Sequence, residues 1–364
     1  MDIGRGKSMQ LIIRCLMIYI YLLFLGSIAI AQHFPDGLIA YTPHENCEHY
    51  CVNRILIIDP NTGETVEIES DGHHTIYSES LDWSAGQRYL LYWTNDFKAN
   101  IADANTGETV GEIEFFQEIG RPIRQGVWYD WHPTQPLIAF IYISDFEPDQ
   151  PFHSLHLFDV PTQQWIPLID DLNIHPYLVQ WSPDGQKILF RSGDVGTYPE
   201  SDLYIYDMLT QNIVNLTDAS NWYGHPDWSA DSERITYVLD TDVLIHNIYT
   251  QEIESLYDFE DLHIGGSEWA LDDTAILVWT HDTSNEDNDI EFYLIDLAEK
   301  SSDLILEVSS HFSGYDISPD GTAIVYLAGE TNPKDVCILS LITQEEACLD
   351  GEKAYRVSYP AWGN

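Results

Sequence analysis

The sequence predicts an all-β fold, a seven-bladed β-propeller of four-stranded antiparallel blades closed by its C-terminal strand. Three observations predict it. A tryptophan-headed turn motif recurs at near-constant spacing, a short apolar strand follows each turn, and partial copies of the repeat stand at both ends. Hydrophobic residues make up 44% of the 364, and the abundant Tyr, Trp and Phe favour strands.

The turn comes first. Trp181-Ser182-Pro183-Asp184-Gly185 is the fullest copy, and others are headed by Trp83, Trp131, Trp228, Trp269 and Ile317. Near the N-terminus Pro35-Asp36-Gly37 follows His33. At the other end Tyr359-Pro360-Ala361-Trp362 matches His225-Pro226-Asp227-Trp228. The anchors at 33, 83, 131, 181, 228, 269, 317 and 362 enclose seven intervals of 41 to 50 residues. Pro-Asp-Gly forms a tight turn in which Gly accepts positive φ. The recurrent Trp is expected to pack between neighbouring blades.

Each interval then holds the same parts. An apolar strand follows the turn: Leu38–Tyr41, Tyr89–Trp93, Leu137–Tyr142, Ile188–Phe190, Ile235–Val238, Ile276–Trp279 and Ile324–Leu327. A second strand ends at Asp59, Asp103, Asp159, Asp207, Asn247 and Asp296, with Ser340 the exception. Thr62, Thr106, Thr162, Thr210, Thr250 and Thr343 stand three residues further on, and Glu299 replaces Thr in the sixth copy. An Asp or Asn at a strand end bonds the backbone two residues on and starts a hairpin. Strands this short cannot bury both faces alone, whereas radial stacking covers them. Val357–Trp362 is expected to join the first blade as its inner strand.

The stretch Trp-Ser-Pro-Asp-Gly-x-x-Ile-x-Phe from Trp181, followed by Asp202-Leu-Tyr-Ile-Tyr-Asp207 and ending in Leu216-Thr217, resembles the repeat of TolB-type propellers, which are WD40-like in organisation. The resemblance runs over nearly all of residues 33–362. The repeat is also similar to the propeller half of prolyl-oligopeptidase-like peptidases, but no Gly-x-Ser-x-Gly occurs and no room remains for a hydrolase domain. The Asp-box of sialidases places Trp after the turn rather than before it, and that family is rejected.

Residues 1–31 read as a signal peptide, with an uncleaved anchor as the alternative. Arg5, Lys7 and Arg14 precede an apolar run from Cys15 that ends in Ala29-Ile30-Ala31. Residues 32–364 then form the single propeller, in a secreted or periplasmic, cell-envelope location. The whole chain carries 15 Lys+Arg against 60 Asp+Glu, a net charge of −45. Without residues 1–31 there are 12 against 59, or −47 on 333 residues. Such a surface repels nucleic acid and anionic membranes and accepts cations or a basic partner. No membrane span is expected in the mature chain, which is expected to be a monomer. Four cysteines follow the leader, and the favoured disulfides are Cys47–Cys51 and Cys337–Cys348, the latter bridging adjacent strands.

Function is expected on the face of the longer loops, Thr42–Asn53, Ser144–Ser154, Ser192–Ser201 and His281–Ile290. Six residues before each anchor stand Tyr77, Gln125, His175, Trp222, His263, His311 and Arg356, a candidate ligand-binding ring at the channel mouth. His175, His263, His311 and Gln125 are types that hold a divalent metal. Among TolB-like propellers, oligogalacturonate lyases are seven-bladed and use a His and Gln metal site, although here the His come from different blades. Polar channel lining is the competing reading. No catalytic residues are assigned, since no nucleophile elbow or ordered triad is visible. The expected function is therefore a non-enzymatic scaffold for a protein, peptide or glycan, with no cofactor required. The alternative is a metal-dependent enzyme acting on a small molecule or saccharide at the channel mouth.

Overall fold

Seven sheets of four antiparallel strands follow one another along the chain. The computed structural model describes residues 34–43, 54–69, 76–94, 98–114, 125–144, 152–169, 176–192, 202–217, 224–260, 262–281, 290–308, 314–329, 334–354 and 360–363. Among these the only helical piece is a single 3-10 turn, Ala85–Gln87. From the channel outward, blade 2 is Ile76–Trp83, Tyr89–Thr94, Lys98–Asp103 and Thr109–Glu114. Blades 3 to 7 repeat that order, with inner strands Gln125–Trp131, Pro176–Trp181, Asp227–Trp228, His263–Ala270 and Tyr315–Ile317.

Blade 1 is assembled from both ends of the chain. Ile39–Tyr41, Arg54–Ile58 and Thr65–Glu69 supply three strands, and Ala361–Trp362 is the innermost. Ile39 pairs with Trp362 and Ala40 with Ala361. The Gly363 N–H donates to Leu38 O at 2.8 Å. Gly37, at φ +137°, is required here, because a Cβ would lie 2.6 Å from Trp362 Nε1. The one-plus-three closure is as the terminal repeats predict, although the described part of the closing strand is shorter than Val357–Trp362.

The turn chemistry is also as predicted. Asp207 Oδ1 accepts from Leu209 N at 3.1 Å and Thr210 N at 2.7 Å. Asp59, Asp103, Asn247 and Asp296 make the same bond two residues on. In the other turn, Ser182 Oγ donates to Asp184 Oδ1 at 2.6 Å and accepts from Lys187 N at 2.9 Å. Ser229–Asp231 and Ser318–Asp320 copy this. Gly185 holds φ +68° with the His132 ring packed against it.

The core is a series of seams between blades rather than one central mass. Trp83 packs with Ile55 and Ile57 of blade 1, and Trp181 with Ile141 and Leu157 of blade 3. Trp228 packs with Leu189 and Leu203 of blade 4. The Trp anchors are thus inter-blade packing residues, each worth roughly 3–5 kcal/mol against truncation to Ala. Cys337 and Cys348 face each other across blade 7 and form the expected disulfide. Cys47 and Cys51 lie outside the described residues.

Candidate binding site

The inner strands project one residue into the channel immediately before each anchor. Those residues are Asp82, Asp130, Gln180, Asp227, Glu268 and Asp316, with Ala361 in blade 1. Five carboxyl groups and one amide thus converge on the axis of the ring. With Trp128, Tyr129 and His225 they line a cavity of 540 Å³. That size suits a side chain, a peptide terminus or a small molecule.

The same residues tie neighbouring blades together. Asp130 accepts from the Trp181 N–H, and Asp227 Oδ2 from Trp269 N at 2.9 Å. Asp316 Oδ2 accepts from Trp362 N at 2.6 Å, spanning the closure of the ring. Gln180 Nε2 donates to Asp227 Oδ1 at 2.7 Å, and Tyr315 OH to Glu268 Oε1 at 2.6 Å. Trp83 Nε1 donates to Ala361 O at 3.1 Å. A hoop of hydrogen bonds therefore crosses six of the seven blade junctions.

Burial dominates the electrostatics of this ring. Loss of water pushes Asp130 up to about 7, Asp227 to about 6, Glu268 to about 8 and Asp316 to about 7. Asp82 is raised well above the usual carboxylate range by burial, then by the charges of Asp130 and Asp316. Backbone donors at Trp181, Trp269 and Trp362 pull the other way and lose. His225 is held low by burial and by nearby Arg191. Near neutral pH these carboxyls lie close to their titration points. They can hold protons between them, or surrender them to an entering cation.

The column predicted six residues before each anchor is only partly placed. Tyr77, Gln125 and His263 begin inner strands, opposite Trp93, Ile143 and His281. His263 is solvent-exposed. His175, Trp222, His311 and Arg356 lie outside the described residues. A bulge or register shift separates the column from the anchor in blades 2, 3, 4 and 6. Equal spacing in sequence is thus not carried by an unbroken register. Among the described residues the column provides one imidazole, His263. Among the described residues, too, the one group of potential ligands brought together, Cys337, Glu346 and Cys348, has both sulfurs in the disulfide.

Comparison with solved structures is decisive for the fold. TolB from Acinetobacter baumannii superposes with a TM-score of 0.52 at 16% identity, over 90% of this chain and 67% of that one. The fold is a seven-bladed β-propeller. An oligogalacturonate lyase in complex with manganese gives a TM-score of 0.60 at 14% identity, covering 86% of this propeller and 85% of that chain. A prolyl endopeptidase gives 0.64 at 12%, over 88% of this propeller but only half the length of that chain. No family model and no curated protein matches in sequence. The propeller is thus shared by proteins of unlike function, and its site has to be read from its own residues. No helix among the described residues is long and apolar enough to cross a membrane.

Proposed function

We propose that the protein is an exported, monomeric, non-enzymatic binding propeller that receives a cationic group of a partner in its acid-lined channel. The group is a Lys or Arg side chain or the amino terminus of a peptide. The observation that supports this is the convergence of Asp82, Asp130, Asp227, Glu268 and Asp316 on one cavity. A cation there restores the ionised state that burial disfavours, and the aromatic side chains of Trp128 and Tyr129, which also line the cavity, suit an alkylammonium stem. The net charge of −45 draws such partners in from a distance. The long-loop face supplies the outer contacts.

Calorimetry with trilysine tests this reading. Binding is expected to strengthen from pH 6 to pH 8, as the carboxyls lose protons, and to weaken about tenfold in Asp130→Asn or Glu268→Gln. Affinity insensitive to both substitutions removes the channel from the reading. The alternative is a metal-dependent enzyme acting on a saccharide, which draws on the fold shared with the lyase in complex with manganese. Stoichiometric metal in the purified chain, lost in the combined His175→Ala, His263→Ala and His311→Ala variant, would establish that alternative instead.

A further inference from the structure

The outer rim carries a second surface that the channel reading leaves unused. Nine large apolar side chains are strongly exposed among the described residues, and five of them belong to the adjacent blades 4 and 5. Leu209 is 87% exposed and Tyr249 61%, each two residues into a hairpin turn where blades 1 and 2 carry Asn61 and Asn105. Ile253 is 54% exposed, Val214 47%, and Ile213 is also exposed.

Register brings several of these to one seam. Val214 stands opposite Ile205, which is packed into the cluster between blades 4 and 5, so Val214 lies on the face turned toward blade 5. Ile253 stands opposite His246, which alternates with Leu244 of the same cluster, so Ile253 lies on the face turned toward blade 4. Tyr249 joins them at the turn end, with Lys187 Nζ of blade 4 at 5.4 Å from its ring centroid. Beneath Ile253 the His246 side chain is only 1% exposed, with Gln251 beside it as a hydrogen-bond partner. Burial lowers the pKa of the ring and favours its neutral form.

The charge around the seam selects its occupant. Asp207 and Asp242 lie on the two inward faces, one near each end of the seam. Glu252 is exposed on the approach to the outer strand of blade 5, whereas Glu254 is on the face away from Ile253 and pairs with Lys300 of blade 6. Lys187 is already committed, to Asp184 at 3.8 Å and to the Tyr249 ring. A second copy of this chain would bring another −45 charges to an acidic rim. We infer that the outer seam between blades 4 and 5 is a docking surface for a basic partner segment, one that sets aliphatic side chains on Val214, Ile253 and Tyr249 between flanking Lys or Arg residues. This does not rest on the channel site.

The test uses the full chain and a labelled twelve-residue peptide alternating Lys and Leu, with Lys/Ser and Glu/Leu peptides as controls, near physiological salt. The Lys/Leu peptide is expected to bind and to slow hydrogen exchange in Ile213–Asn215 and Ile253–Asp258. Val214→Ser with Ile253→Ser should weaken it about tenfold. Ile342→Ser, at an exposed side chain on blade 7, should leave that protection unchanged. Equal slowing of exchange in those two strands by the Lys/Ser peptide, equal loss of protection in Ile342→Ser, or protection there indifferent to the double substitution overturns the inference. So does a dimer in sedimentation that Ile253→Ser dissolves, since the occupant is then a second copy.

Discussion

Asp316 joins two jobs in one carboxyl group. It accepts from Trp362 N across the closure of the ring and sits among other buried acids in the channel. Such a carboxyl binds its proton more tightly folded than unfolded. Between the unfolded value near 4 and folded values of about 6 to 8, the native state therefore holds more protons than the unfolded chain. Stability must then fall as pH rises through that window. We expect a higher melting temperature at pH 5 than at pH 8. Asp316→Asn keeps an oxygen for the Trp362 N–H but removes one linked proton, so its pH dependence should be flatter. A slope identical to that of the parent would assign the effect to overall charge and not to the ring. This acid column was available to sequence reasoning, one position before the anchors at 83, 131, 228, 269 and 317. It was missed because a single Asp carries little surprise among 60 acidic residues, and only radial closure shows that these converge.

At the scale of elements, the regular parts were legible because local chemistry fixes them. The Asp207 hairpin and the Ser182–Asp184 turn make the local bonds their residue types require. The predicted His and Gln column is less legible, because His175, Trp222, His311 and Arg356 lie outside the described residues and bulges intervene between the others and their anchors. The register shift between Tyr177 and Val179 in blade 4 leaves no mark that counting residues can detect. The closing strand is the element whose loss should matter most. Deleting residues 355–364 removes Trp362 from between Gly37 and Asp316 and leaves Ile39–Tyr41 as an open inner edge. The melting temperature should collapse; an unchanged value would mean that blade 1 stands without the strand. The Cys337–Cys348 bridge lies within one hairpin of blade 7 and plays no part in closing the ring.

Over the whole molecule, 15 basic residues cannot neutralise 60 acidic ones. The ion pairs are local and largely exposed, such as Lys98–Glu112 at 3.1 Å, and contribute little each. Self-repulsion is the larger quantity and acts against compactness. The melting temperature should therefore rise between 0.05 M and 0.5 M NaCl, as the Debye length contracts. A fall would show that the pairs outweigh the repulsion. Size and shape also set a schedule for biosynthesis. Most strands meet their partners within one repeat, but Ile39 must wait for Trp362. A nascent chain can stack blades 2 to 7 in order as each emerges, while blade 1 stays without its innermost strand until Ala361 and Trp362 have been made. The slowest step of folding should accordingly be the meeting of the two ends, after synthesis has reached the last repeat.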